Sequence, residues 1–546
     1  MRKSSALLVA CAAALVASLV IGPAATAGES QARGTVVFGA DQEPNTLNWM
    51  TDSMYWMSLI TSKITASGMI YNDKAQLVPY LLEGKPKIVK RRPFTTQHTY
   101  KATANWSDGR PLTGADYVFR WQAQMNPQNN VVTREGWDQM RSVTAKGKTV
   151  TIVWKSTYAN WEEFNGAAPI PRHAFAGKDF NKMWQNEISP ASGPFRFVSW
   201  TKGQQLVIAR NPSWKAGPAP KLERIVFRFI PNTATQFQAL RSGEVQITEP
   251  QFQLQIKDFL NDPKINVQYG PGFQYEHIDF QFGPKGHPAL KQPYVRKAIA
   301  HGINRAQISQ AIYGAVLPKP LPVLGSVHWM PFQPQYKGHD YFNQYKFSQQ
   351  RVIDILKRAG CTGGPDRPTR GNDRIWTCPG VGKLSFRFTT TSPNQRRALT
   401  FEIIQAQLKS VGIELVPRFG PAPVVFGTVL PSHDWDIIMF TWLSSPTHNF
   451  TAGDLYSCPP EGGQNDMNYC NRRYTRLMNQ AKVEVDEQKR TQLVYQAERI
   501  MANDVPTIPL YSQPGFLLHY KNIKGLLKNP TQEGSTWNAE VWSISQ

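Results

Sequence analysis

The sequence is short of cysteine, of acidic side chains and of apolar runs long enough to cross a membrane. Only 5 of its 546 residues are Cys, and none shows the paired C-x-x-C spacing of a four-Cys zinc site. There is no G-x-S-x-G elbow and no H-E-x-x-H helix, so the common hydrolase signatures are missing. Gly147-Lys148-Thr149 ends like a phosphate loop, but Ser142 stands where its first Gly belongs. The 10 His are scattered without metal-ligand spacing, which makes His277, His433 and His448 structural or surface residues. Asp and Glu number 39 against 61 Lys and Arg, a net charge of +22. Such an excess attracts nucleic acid where it clusters. Here the densest runs are Lys85, Lys87, Lys90, Arg91 and Arg92, then Arg367, Arg370 and Arg374. Loop charges of this kind are usually solvated faces, so nucleic acid is not an expected partner, and an anionic envelope surface is the remaining use for them.

What is present is apolar bulk. Hydrophobic residues make up 41% of the chain, with 16 Trp, 19 Tyr and 27 Phe, which excludes wholesale disorder and fibrous architectures. At about 150 residues per domain the length corresponds to roughly three or four domains' worth of chain. The one sustained apolar run, Ala6 to Ile21, is shorter than the ~20 residues a membrane helix needs. Arg2 and Lys3 precede it, Gly22-Pro23 breaks it and Ala25-Thr26-Ala27 offers a cleavage site, so residues 1–27 read as a secretory signal peptide. The expected location is periplasmic, extracellular or on the cell envelope. Leu8-Val9-Ala10-Cys11 matches a lipoprotein box in letters, but Lys3 lies too close for an h-region. Removing the signal leaves Cys361, Cys378, Cys458 and Cys470, an even number in an exported chain. The local pairs, Cys361 with Cys378 and Cys458 with Cys470, each close a Gly/Pro/Asn-rich excursion and are the favoured disulfides.

From Arg33 to Gly270 the chain is strand-rich, with β-branched and aromatic runs at Thr35–Gly39, Thr149–Trp154 and Arg224–Ile230. One helix follows Asn232 and stops at Gly243. From Pro293 the pattern becomes α/β. Ser348 caps a helix with Val352, Ile355, Leu356 and Ala359 inward. A βαβ unit follows: a strand from Lys383 to Thr389, a helix opened by Ser392 and Pro393, then a strand from Ile413 to Phe419. Asp434–Thr441 reads as another buried strand, and two further helices end before Pro506. A strand-rich lobe followed by an α/β lobe implies a ligand cleft at the junction.

Ordered motifs carry a resemblance. Glu43-Pro44-Asn45-Thr46-Leu47-Asn48 is similar to a "P-x-x-L-(D/N)-P" entry segment, and Trp106-Ser107-Asp108-Gly109-Arg110-Pro111-Leu112-Thr113-Gly114-Ala115-Asp116 to "W-S-D-G-x-P-L-T-A-x-D". Pro169–His173, Ser192–Phe197, Arg241–Val245, and Val295–Ile299 with Ile303–Arg305 match further motifs in order. Together they resemble the extracytoplasmic solute-binding proteins of ABC importers, in the oligopeptide/dipeptide/nickel-binding family (family 5), over essentially the whole mature chain. The resemblance implies an α/β, bilobal, periplasmic-binding-protein-like fold. Lobe I would take residues 28–270, with an inserted subdomain near 61–188, lobe II residues 271–505, and residues 506–546 would return to lobe I. Crossings near Tyr269–Tyr275 and Val505–Leu510 would form the hinge. It implies a receptor, not an enzyme: a monomer without cofactor that captures a peptide or other small-molecule ligand and delivers it to a membrane permease.

In an α/β sheet ligands bind beyond the carboxyl ends of strands, which selects Trp442-Leu443-Ser444-Ser445-Pro446-Thr447. The family's peptide binders carry "W-x-x-D" here, the Asp pairing with the peptide ammonium. Ser445 cannot supply that charge-assisted bond, unless Glu43, Glu276 or Asp279 substitutes. Phe273, Tyr275 and Trp442 form the expected apolar, stackable wall, with Tyr55, Trp56 and Trp329 weaker candidates. Trp442, Ser444, Ser445, Tyr275, Phe273, Glu43 and Asn45 are therefore the candidate ligand-binding residues. No His or Met cluster marks a directly ligated metal. The expected ligand is a peptide or an N-blocked peptide, with an oligosaccharide or glycoside as runner-up.

Overall fold

The computed structural model describes residues 34–545 apart from Ser53, Glu135, Pro320, Ser445, 447–454 and 460–463. The expected signal peptide and Ser445 lie outside these residues. Strand β1 (Thr35–Ala40) opens the first sheet. The chain then builds an inserted body on four antiparallel strands, Lys87–Arg91, Phe94–Thr99, Thr149–Trp154 and Met140–Lys146 in spatial order, with helix α1 (Gly114–Met125). It returns through β2 (Phe195–Thr201), β3 (Gln205–Arg210), β4 (Arg224–Phe229), helix α2 (Thr233–Ser242), β5 (Ile247–Thr248) and β6 (Ile265–Gly270). Strand β7 (Gln274–Phe280) begins a second sheet. Helices α3 (Pro293–Gly302), α4 (Arg305–Tyr313) and α5 (Gln349–Arg358) follow. Then come β8 (Ser385–Thr391), α6 (Gln395–Lys409), β9 (Glu414–Gly420), β10 (Ile437–Leu443), α7 (Arg472–Val483), α8 (Glu487–Asp504) and β11 (Thr507–Ser512). Strand β12 (Gly515–Tyr520) is back in the first sheet.

The first sheet runs β6-β12-β5-β1-β4-β3-β2 and the second β9-β8-β10-β7-β11. The chain crosses between them twice, at 271–273 and at Gln513-Pro514. The second crossing comes after Ser512, not near Val505–Leu510, because β11 pairs with β7 from Thr507 to Ser512. Residues 507–512 thus belong to the second sheet's hydrogen-bond ladder, not to the returning segment expected from residue 506.

Local chemistry explains most of the elements. Asn232 Oδ1 accepts from Thr235 N at 3.0 Å to open α2, and Gly243 closes it with φ +81°, a conformation open to Gly at little cost. Ser348 caps α5 through Arg351 N, although the buried face takes Ile353 in place of Ile355. Helix α6 is capped by Asn394, whose Oδ1 accepts from Arg397 N at 3.0 Å, so Ser392-Pro393 precedes the helix instead of opening it. In the tryptophan signature, Asp108 Oδ1 accepts from Arg110 N and Thr113 forms a capping box with Asp116. Trp106 is buried with its indole N–H on Asp116, a structural role.

The inserted body has its own aromatic core around Trp106, Tyr117, Trp137 and Trp154. The second sheet is buried on both faces, as its near-continuous apolar strands require: Ile278, Ile437 and Met439 lie in one core, and Tyr275, Ile438 and Phe440 in another. Disulfides join Cys361 to Cys378 and Cys458 to Cys470, the pairs expected from the sequence.

Candidate functional site

Strand direction places the site. In the first sheet β1 is parallel to β4 and β5, so their carboxyl ends share one edge, and Gly270 of β6 pairs with Gly515 of β12 at that same edge. In the second sheet β8 is parallel to β9 and β10. The end of β10 pairs with the start of β7, Leu443 opposite Gln274, and the end of β11 lies beside it, Ser512 opposite Tyr275. Both crossings therefore join the carboxyl edge of one sheet to the carboxyl edge of the other, which is where open α/β sheets bind ligands. Phe252, just past β5, packs its ring on Tyr313 of α4 at 4.5 Å, so the two halves also meet there through side chains.

On the first sheet's edge, Asp41 follows β1. Its carboxylate accepts from the Trp56 indole and, at 3.0 Å, from Gln251 Nε2. Glu249 follows β5 and accepts from Tyr55 at 3.1 Å and Ser535 at 2.7 Å. Burial raises the Glu249 pKa, and nearby Lys528 opposes the rise. On the second sheet's edge Glu276 is fully buried and carries the densest polar network. Its Oε1 accepts from Arg397 Nε at 2.7 Å. Its Oε2 accepts from Thr441 Oγ1 and Gln513 Nε2, both at 2.7 Å, and lies 3.2 Å from Arg396 Nη2. Burial alone would raise this carboxyl's pKa; the two guanidinium groups outweigh it and hold it at about 2.

The expected residues separate. Trp442 reaches this edge partly exposed, its ring 4.9 Å from Phe440 and 6.1 Å from His277, and its indole N–H is buried without an acceptor. Ser444 sits beside it, its N–H on Phe273 O at 2.8 Å. Phe273 and Tyr275 are each only 1% exposed. Strand alternation explains Tyr275: it points to the core face with Phe440, while Glu276 takes the opposite face. Phe273 packs edge-on against Phe332 at 5.0 Å. Both are core supports of the edge, not a ligand wall. Glu43 is held within its own half by Trp200 Nε1 at 2.8 Å and Gly203 N at 3.0 Å. Asn45 lines a separate polar cavity of about 450 Å³ with Thr46, Thr51, Asn130, Asn181 and Gln185, formed wholly by the first part of the chain. The acids named as substitutes for the missing Asp are also engaged, Glu276 as above and Asp279 by His277 at 3.0 Å.

The family assignment follows from the sequence as a whole. The profile for the middle region of the bacterial extracellular solute-binding proteins, family 5, matches residues 99–463, more than half of the chain. The chain belongs to this family. Among its relatives, the oligopeptide-binding protein AppA of Bacillus subtilis is 24% identical over 544 residues, 95% of this chain and 93% of AppA. The structure of AppA in complex with a nonapeptide superposes with a TM-score of 0.77 at 20% identity, over 94% of this chain and 100% of that one. The periplasmic EDTA-binding protein EppA superposes at 0.84, also at 20% identity, over 94% and 97%. These likenesses confirm the mixed α/β, periplasmic-binding-protein-like architecture.

Reading the sequence for strand-end residues only after β10 missed Asp41, Glu249, Arg396, Arg397 and Gln513. Asp41 directly follows a legible strand, and Arg396-Arg397 stands just beyond the carboxyl end of another. The same rule, applied to every legible strand, selects Asp41, Arg396 and Arg397, whereas Glu249 and Gln513 follow strands that are not legible in the sequence.

Proposed function

We propose that the protein is the exported receptor of an ABC importer, binding a peptide or peptide-like solute between the carboxyl edges of its two sheets and passing it unchanged to a membrane permease. The observation that carries this reading is the pair of short crossings at 271–273 and Gln513-Pro514, each of which joins the carboxyl edge of one sheet to the carboxyl edge of the other. Small φ/ψ changes at two such crossings suffice to close one half on the other. The relatives' names support a peptide ligand and do not favour the oligosaccharide reading. The receptor works as a monomer, with one solute per chain. Binding rests on an apolar Trp442 surface together with edge carbonyl, amide and guanidinium groups.

Native mass spectrometry of the purified protein after incubation with a defined peptide pool tests the reading. One intact peptide per chain is the expected outcome. Cleaved peptides, or no adduct with any peptide, would overturn it.

A further inference from the structure

The basic run that reads as a loop in the sequence, Lys85 to Arg92, builds an edge strand. Lys87–Arg91 pairs on one side only, with Phe94–Thr99, in the four-stranded sheet of the inserted body. Lys87, Lys90, Arg91 and Arg92 are all exposed, and none enters an ion pair among the described residues. The second basic run differs. Its Arg374 meets Asp366 at 3.4 Å, and Lys357 meets the same acid at 2.8 Å, so part of that charge is answered within the chain.

Strand register carries the charge across the sheet. Val150, Ile152 and Trp154 lie in the aromatic core, so Thr149, Thr151 and Val153 of the same strand take the opposite, outer face. The ladders align Lys87 with Gln97, Gln97 with Thr151, and Lys146 with Thr149. The middle of the outer face is thus made of amide and hydroxyl groups, Gln97 Nε2 donating to Thr151 Oγ1 at 2.8 Å and Thr99 Oγ1 lying 2.9 Å from Thr149 Oγ1. Lys87 and Lys90 stand at one edge and Lys146 at the other. None of the four strands carries an Asp or a Glu. Charges on edge strands keep a sheet from pairing with another chain, but acids mixed among the bases would serve that as well. A single sign across all four strands favours an anionic partner. Val89 sits where the register shifts between Ile88 and Lys90, and it is 49% exposed amid these cations. A soluble polyanion would use the charges alone. Apolar contact together with Lys and Arg charge is what holds a protein on an anionic bilayer surface.

We propose that the outer face and basic edge of this sheet dock on anionic phospholipid headgroups, holding the receptor at the membrane by its inserted body. None of these residues belongs to the proposed solute site, so the docking is independent of which solute binds.

Vesicle sedimentation tests this. The purified protein should pellet with vesicles of mixed phosphatidylglycerol and phosphatidylcholine, stay in solution with phosphatidylcholine alone, and be released as salt rises. The triple variant Lys87→Gln, Lys90→Gln, Arg91→Gln should weaken the partition about a hundredfold, whereas Arg367→Gln with Arg370→Gln should change it far less. Equal retention by neutral vesicles, retention that salt does not reduce, retention that survives the triple variant, or an equal loss in the Arg367/Arg370 pair overturns the proposal. Soluble polyphosphate bound through the same lysines, with no vesicle retained, overturns the membrane as the partner. Should the triple variant fail to fold, amine labelling of the unaltered protein decides: anionic vesicles should slow labelling of Lys87, Lys90 and Lys146, and unchanged labelling there overturns the proposal.

Discussion

Glu276 Oε2 lies 2.7 Å from Gln513 Nε2, which fastens the strand leaving the first crossing to the residue that begins the second. The backbone repeats the link, Gln513 N donating to Gln274 O at 2.8 Å. The two crossings thus form one laced unit in which neither strand can turn without the other. Replacing Glu276 by Gln leaves the buried Arg397 and the partly buried Arg396 without their counter-ion, and breaking a buried pair in this way costs about 3–5 kcal/mol. Urea unfolding should show that loss. The same carboxyl, held at about 2 against an ordinary 4.5, gives stability that is full above pH 4.5 and drains away as pH falls toward 2. The Glu276→Gln variant should lack that acid limb.

Glu498 has the opposite sign. Burial pushes its pKa up to about 8, only partly offset by hydrogen bonds from Ser326, Val327 N and His328 N. The folded protein therefore favours the protonated acid. Its contribution is full below about pH 4.5 and is lost as pH rises through 8. Glu498→Gln, which mimics the protonated form, should flatten the stability profile between those limits and unfold at higher denaturant than the parent at pH 8.5.

The disulfides close loops of sequence separation 17 and 12. Loops of that size are worth about 3 kcal/mol each to the folded state. Paired Cys→Ala variants at 361/378 or 458/470 should each lower the unfolding free energy by roughly that amount, and a reductant should destabilise the parent but not the double-pair variant.

Trp442 is left partly open at the end of β10. Trp442→Ala should weaken binding of any solute at that edge by about tenfold or more, the scale of one lost aromatic contact, with little change in the unfolding midpoint. Tyr275→Ala should do the reverse: a core ring removed costs about 3–5 kcal/mol of stability.

The sequence carried the architecture well for identifiable reasons. Caps at Asn232 and Ser348, the Gly243 stop and the local cysteine pairs are decided by nearest neighbours, and those features are as expected. Residues 507–512, assigned to the segment returning to lobe I, pair instead with β7, a partner far away in sequence. The site was less legible. Glu276 reads as a free acid along the chain, and only the fold shows two arginines from α6 closing on it. Tyr275 and Trp442 lie directly opposite on neighbouring strands, yet one is sealed in the core and the other is partly open, a difference set by what covers each and not by periodicity.

Hydrogen exchange with and without a saturating peptide pool tests the central claim most directly, because it reports where the solute sits. Binding should slow exchange at 41–56, 249–253, 271–275, 441–446 and 512–514, the two facing edges and both crossings, and leave the four-stranded sheet of the inserted body unchanged. Protection confined to the polar cavity of Asn45, Asn130 and Asn181, or protection in one half of the molecule alone, would contradict a solute held between the edges.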